Sequence, residues 1–206
     1  TRLFMEAFTV EHEMNSDGIG YIRITEFDSV TYDQFASALE DLEAQGMTGL
    51  VIDLRDNPGG NLDTVCDILD LILPEGTIVS TKDKNGEGET YTSDEEHKLE
   101  IPLSVLTNGN SASASEIFAG AVQDYGVGTL VGTTTFGKGI VQQIFPLTDG
   151  TSIKLTISEY FTPKGRNIHG TGIDPDVEVE YEYNEEDPAA DNQLEKAIEI
   201  VKGNGM

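Results

Sequence analysis

Tryptophan is absent from this 206-residue chain, and cysteine occurs once, as Cys66. A single cysteine excludes an internal disulfide and any multi-cysteine zinc site. Basic residues are scarce: 12 lysines and arginines face 38 aspartates and glutamates, for a formal charge of −26. That balance argues against nucleic acid, whose phosphates require clustered cations, and against a polybasic membrane-surface protein. No apolar run approaches the ~18–20 residues of a transmembrane helix, and residue 1 opens nothing that reads as a signal peptide. The three histidines, His12, His97 and His169, are scattered, and H-E-x-x-H is missing, which argues against a catalytic zinc. G-x-S-x-G and S-x-x-K are missing too, which removes the nucleophile elbow and the β-lactamase type of dyad.

What is present is glycine, 22 residues of it, and an alternation of strand and helix patterns. Residues 18–27 set Ile19, Tyr21, Ile22, Ile24 and Phe27 on a largely two-residue beat, which predicts a strand. A helix over 32–44 follows from Phe35, Ala38, Leu39 and Leu42 at three- and four-residue spacing, with Gly46 as its stop. The apolar run 49–54 predicts a strand covered on both faces. A second helix carries the stripe Leu62, Val65, Ile68, Leu69 and Ile72 and ends at Pro74; Cys66 inside it reads as a small core hydrophobe. Beyond it come a β-rich excursion over 78–92, a strand at 102–106, a helix at 112–125 and a strand at 129–131. Strand-like pattern then runs from 140 to 181, and an amphipathic helix occupies 191–202. The segment 3–10 is also strand-like, while the acidic patches 93–96 and 185–191 read as solvated loops. The fold class is α/β, with a mostly parallel central sheet, crossover helices and additional β-structure.

Three stretches carry more than a scaffold requires. Residues 55–60 (RDNPGG) lie between a buried strand and a helix, where ligands gather in open α/β sheets and where paired glycines turn N–H groups outward. Residues 108–116 (NGNSASASE) open a helix whose unpaired N–H groups favour negative charge; N-capping explains one of the three serines but not all. Residues 132–139 (GTTTFGKG) nearly spell a phosphate-binding loop, yet Gly139 replaces the required Ser or Thr and a strand pattern follows where a helix should begin. Lys138 is then either a solvated charge or a placed amine. A serine nucleophile in this chain would take a lysine base more readily than a histidine.

LRDNPGG, NGNSASASEIFAGAVQD, GTTTFGKGIVQ and YFTPKGRNIHGTGIDPDVEVE, in that order, resemble the carboxyl-terminal processing (tail-specific) proteases over residues 18–181. The resemblance implies a crotonase/ClpP-like core and a serine endopeptidase with a Ser–Lys dyad. Ser113 would be the nucleophile, Lys138, 25 residues further on, the base, and Gln142 its orienting partner. The backbone N–H groups of Gly59 and Ala114 would form the oxyanion hole. It further implies polypeptide substrates, no nucleic acid, no cofactor and no metal, and is compatible with a homo-oligomer. The family's full-length members sit outside the cytoplasm of bacteria, in the periplasm or cell envelope, often membrane-anchored, and carry a PDZ domain. On this reading residues 1–17 follow a PDZ domain not contained in the chain, 18–183 are the protease core, and 184–206 are an acidic linker and helix.

Physical chemistry sets a condition on this reading. Free lysine, with a pKa of ~10.4, is charged at neutral pH and cannot act as a base. Burial among neighbours such as Phe136 and Ile140 would favour the neutral amine, and nearby carboxylates would oppose it. Residues 129–147 contain no acid. Two alternatives stay open: a non-catalytic ligand- or peptide-binding module on the same fold, and a phosphate-binding enzyme built on 132–138. Arg166, His169 and the DPDV run at 174–177 read as structural, and Asp53 and Asp56 as local supports of the loop before Gly59.

Overall fold

The computed structural model describes residues 7–203. Strand β1 (Val10–Met14) pairs antiparallel with β2 (Ile19–Ile24), whose isoleucines are buried as their two-residue beat predicts. The predicted strand 3–10 meets β1 at Val10 alone; residues 3–6 of that expectation lie outside the described residues. Helix α1 (Thr31–Ala44) buries Phe35, Ala38, Leu39 and Leu42, and β3 (Gly49–Asp53) is buried along its whole length. Helix α2 (Leu62–Asp70) starts on Asn61, whose side chain accepts the Asp63 N–H. Cys66 is buried in α2, and desolvation, helped by Asp63 and Asp67, pushes its thiol up to about 12. It is a packing residue.

The chain continues through β4 (Gly76–Lys82), β5 (Thr90–Ser93), β6 (Leu103–Thr107), α3 (Ala114–Tyr125), β7 (Thr129–Gly132), β8 (Ile140–Pro146), β9 (Ser152–Phe161), β10 (Val177–Glu178) and α4 (Asn192–Gly203). Six strands form the main sheet in the order β1-β2-β3-β6-β7-β10, parallel from β2 onward. A second sheet, β5-β4-β9-β8, is antiparallel. Apolar side chains of α1, α2 and α3 cover one face of the main sheet; Ala197 and Val201 of α4 cover Val51, Leu106 and Val131 on the other. This is the predicted α/β class.

Two predicted boundaries shift for identifiable reasons. Helix α3 begins at Ala114 rather than 112, because Ser113 has φ 57° and ψ −112°, outside helical space. The strand pattern over 140–181 resolves into the β8–β9 hairpin, an irregular run and the short β10. Much of that run's order comes from α3: the Asp124 carboxylate accepts from Lys164 N at 2.8 Å and from Arg166 Nη2 at 2.5 Å. Arg166 is structural, as its sequence context indicates.

Asp191 turns out to be more than linker surface. With Asp53 it holds the half-buried Arg55 guanidinium, the closest contacts being 2.8 Å and 2.6 Å. Burial alone would raise its carboxyl. Hydrogen bonds from Arg55 and from the Leu194 and Gln193 N–H groups outweigh that and hold it below the usual range. A depressed folded pKa stabilises above the unfolded value of ~3.9 and loses its contribution as pH falls through the folded one. Asp191→Asn is therefore expected to cost about 2 kcal/mol at neutral pH and to weaken the acid dependence of stability below pH ~4. Urea unfolding as a function of pH checks both; an unaltered acid limb would refute the assignment.

Candidate active site

The three stretches singled out in the sequence follow the C-terminal ends of β3, β6 and β7, which are neighbours in the parallel sheet. Topology alone brings them to one rim, the expected place for a ligand. The first loop is held by Asn57, fully buried, whose Nδ2 donates to Ile24 O at 2.9 Å. Its glycines are sterically required. A Cβ on Gly59 would lie 2.6 Å from Ala112 O and 2.8 Å from Ser113 Cβ; one on Gly60 would lie 2.0 Å from Phe27 O. Asp56 ties the first loop to the second, its Oδ1 accepting from Asn110 Nδ2 at 2.7 Å and Asn108 Nδ2 at 3.0 Å. Those bonds, from Asn110 foremost, lower the Asp56 carboxyl. Asp53 supports the loop locally through Arg55, as expected, whereas Asp56 acts across the rim.

The serines divide by what they touch. Ser111 Oγ donates to Leu54 O at 2.8 Å and Ser115 Oγ to Asn57 O at 3.0 Å, and both residues are fully buried. They tie the second loop to the first. Ser113 lies between them, half-buried, on the wall of a cavity. Its positive φ costs on the order of 1–3 kcal/mol for a residue with a Cβ. Neighbouring contacts impose the conformation. Ala112 N donates to Asn57 O at 3.0 Å, Ser113 N to Glu116 Oε2 at 2.9 Å, and the Tyr160 hydroxyl to Ser113 O at 3.1 Å.

Glu116 is the residue that sequence reasoning undervalued, since an acid in the first turn of a helix reads as a capping partner. Its carboxylate is fully buried and accepts four hydrogen bonds. Thr135 Oγ1 (2.6 Å) and Gly137 N (2.7 Å) reach Oε1, while Lys138 N (2.8 Å) and Ser113 N (2.9 Å) reach Oε2. The third loop thus wraps a carboxylate of its own chain with the N–H groups that a phosphate would need, and β8 follows it. That arrangement removes the phosphate-loop alternative. Residues 129–147 lack acids in sequence, yet the fold supplies one directly beneath Lys138. Tyr160, on β9, is the other residue missed: buried, it shares its single hydroxyl proton between the carbonyls of Lys138, the nearer, and Ser113. Desolvation, then Glu116, drives its phenol well above the ordinary range, so it stays a donor.

Ser113, Ala114, Lys138, Gln142 and Tyr160 line one cavity of about 180 Å³ together with Gly60. Gly60, not Gly59, is at the wall, and the Gly59 N–H already donates to Asn57 Oδ1 at 2.8 Å. The donor expected from Gly59 is therefore engaged within its own loop. Gln142 is exposed, its Nε2 bonded to Thr156 Oγ1 at 3.5 Å. Lys138 is half-buried beside Ile140, but Phe136 points outward at 65% exposure and does not shield it, because its N–H is used to reach Ser111 O. A larger cavity of about 450 Å³ lies along the Arg55 network, lined by Tyr21, Asp53, Asp56 and Asp191. Asp53, Arg55 and Asp191 in its wall are already paired with one another. Among the described residues, Asp70, Asp94 and His97 bring possible metal-ligand atoms within 4.8 Å of one another, away from both cavities.

A helix-terminal serine and a loop lysine thus share a cavity at the strand ends of an α/β sheet, and the proteins this chain is similar to are peptidases. A solved photosystem II D1 C-terminal processing protease is similar to it with a TM-score of 0.78, 32% identity, and coverage of 87% of this chain and 50% of that one. Residues 18–179 match the family model described as Peptidase family S41, and the chain belongs to that family. A carboxyl-terminal-processing protease of Synechocystis sp. is 45% identical over 188 residues, 90% of this chain and 44% of its own length. The carboxy-terminal processing protease CtpB of Bacillus subtilis is 42% identical over 173 residues, 84% of this chain and 36% of its own. The chain spans less than half the length of these curated relatives.

Replacing Glu116 by Gln keeps the shape and removes the charge. One end of the amide then faces two N–H or O–H donors with an NH₂ group. Glu116→Gln is expected to lose about 2–4 kcal/mol, more than Glu→Gln changes at the exposed Glu185, as measured by chemical denaturation. Equal effects at the two positions would contradict the role given to this carboxylate.

Proposed function

We propose that the chain is the catalytic core of a serine endopeptidase in which Ser113 is the nucleophile and Lys138 the general base. The observation that carries this reading is that one buried carboxylate, Glu116, binds the backbone N–H of both residues and so sets them on one cavity wall. The Lys138 amine takes the proton of Ser113 Oγ as the oxygen attacks the scissile carbonyl. The oxyanion develops against the N–H of Ala114, at the positive end of α3, where fixed donors stabilise it. Collapse breaks the C–N bond, and Lys138 returns its proton to the leaving amine. Water, activated by the same lysine, then attacks the acyl-serine and regenerates the hydroxyl. Gln142 is assigned to hold the lysine amine through its side-chain oxygen. Gly59 would join the oxyanion hole once its N–H leaves Asn57 Oδ1.

Relatives named for carboxyl-terminal processing support polypeptide substrates with exposed or unfolded C-terminal tails. For the whole protein we infer a site of action outside the cytoplasm, in the bacterial periplasm or envelope, with a membrane anchor and a PDZ domain that captures tails by strand addition.

Ser113→Ala and Lys138→Ala are each expected to reduce casein cleavage by at least ~10³-fold with unchanged far-ultraviolet circular dichroism. Ser111→Ala and Ser115→Ala are expected instead to cost about 1–2 kcal/mol of stability and to retain much of the activity. Full cleavage by Ser113→Ala would overturn the nucleophile assignment, whereas no cleavage by the unsubstituted chain would favour the binding-module alternative.

A further inference from the structure

The cavity beside Ser113 differs in charge from the rest of this protein. In a chain of net charge −26 the larger cavity is lined by Asp53, Asp56, Glu180 and Asp191, and the remaining surface hollows also contain acids. The wall around Ser113 contains none, and it contains two lysines, Lys138 and Lys154. The described ion pairs use Arg55, Arg166, Lys196, Lys202 and two histidines, and neither cavity lysine is among them.

Lys154 is delivered by the β8–β9 hairpin. It stands opposite Ile144 in a register that places Gln142 opposite Thr156, so Gln142, Ile144, Lys154 and Thr156 share one face of the ribbon. Gln142 and Lys154 from that face line the cavity. The other charged or ionisable groups at this wall are committed elsewhere. Glu116 is saturated by four donors, and the Tyr160 hydroxyl is spent on two carbonyls. Lys138 is assigned to the serine proton in the proposed mechanism. Lys154 is then the one cation left facing the substrate, in a cleft whose walls concentrate its field while the acidic exterior repels anions from elsewhere.

We propose that Lys154 makes this cavity a receptor for a carboxylate of the bound polypeptide. The inference rests on the peptidase reading and deepens it. An ammonium binds a carboxylate as a point charge, with no fork geometry to satisfy, so two sources qualify: the α-carboxylate at a substrate's C-terminus, or an Asp or Glu side chain near the scissile bond. Recognition here is separate from any capture of tails by another domain, because it takes place at the reacting bond itself.

Binding can be read without cleavage in the Ser113→Ala chain, using one peptide sequence carrying an uncharged fluorophore. Three forms are compared by fluorescence anisotropy: free C-terminal acid, C-terminal amide, and C-terminal amide with one internal Glu. At least one carboxylate form is expected to bind about tenfold more tightly than the neutral amide, with the advantage shrinking as salt rises from about 50 to about 500 mM. The advantage should vanish in Ser113→Ala/Lys154→Met and survive in Ser113→Ala/Lys154→Arg. Which carboxylate form benefits assigns the source. Equal binding of all three forms, absence of binding, or an advantage that persists in the methionine variant overturns the proposal. The casein assay on Ser113→Ala tests the peptidase reading independently, so the two failures are distinguishable.

Discussion

The Glu116 carboxylate is taken out of water and has no ion-pair partner among the described residues. Such a group is tolerated only when its lone pairs are filled, and here four donors fill them. The donors come from two loops that are distant in sequence, one ending in Ser113 and one running from Thr135 to Lys138. Neither loop can leave without stranding a buried anion. The geometry of the cavity is therefore coupled to the stability of the fold through a single side chain. The cost of misplacing the serine or the lysine is the cost of desolvating that carboxylate unpaired, several kcal/mol.

The strain at Ser113 is absorbed by the same construction. A non-glycine residue at φ 57° needs an environment that leaves it no alternative. Asn57 holds the loop before it, Ser115 the turn after it, Glu116 its N–H and Tyr160 its carbonyl. The glycines at 59 and 60 matter here for what they lack, since any Cβ would drive the first loop off the second or off Phe27. Rigid on this side, the cavity is closed on the other by a β8–β9 hairpin with mostly exposed side chains. The reacting groups thus sit between a fixed rim and a ribbon with few packing partners.

Much of the architecture was legible residue by residue. The stripe of α1, the apolar runs of β3 and β6 and the two-residue beat of β2 are local patterns, and each maps onto the element it predicts. The irregular stretch after β9 was not legible, because much of its order comes from Asp124, 40 residues away from Lys164. Asp191 looked like linker surface for the same reason, since its partner Arg55 is remote in sequence. Glu116 was visible as a capping residue. Its larger task was hidden, because the N–H groups it binds are backbone atoms of Gly137 and Lys138, and backbone donors leave no mark in side-chain identity.

By itself the sequence determined the class of fold, because periodicity is a property of neighbouring residues, and it narrowed the candidate nucleophile to a run of three serines, among which only the family resemblance pointed to Ser113. It also determined that residues 129–147 carry no acid. Tertiary structure decided the rest. It sorted Ser113 from Ser111 and Ser115, put a buried carboxylate under Lys138, turned Phe136 outward, and occupied the Gly59 N–H with Asn57. Each of those depends on which hydrogen-bonding group lies across the sheet rim. Three parallel strands decide that when they bring three separate loops to one edge.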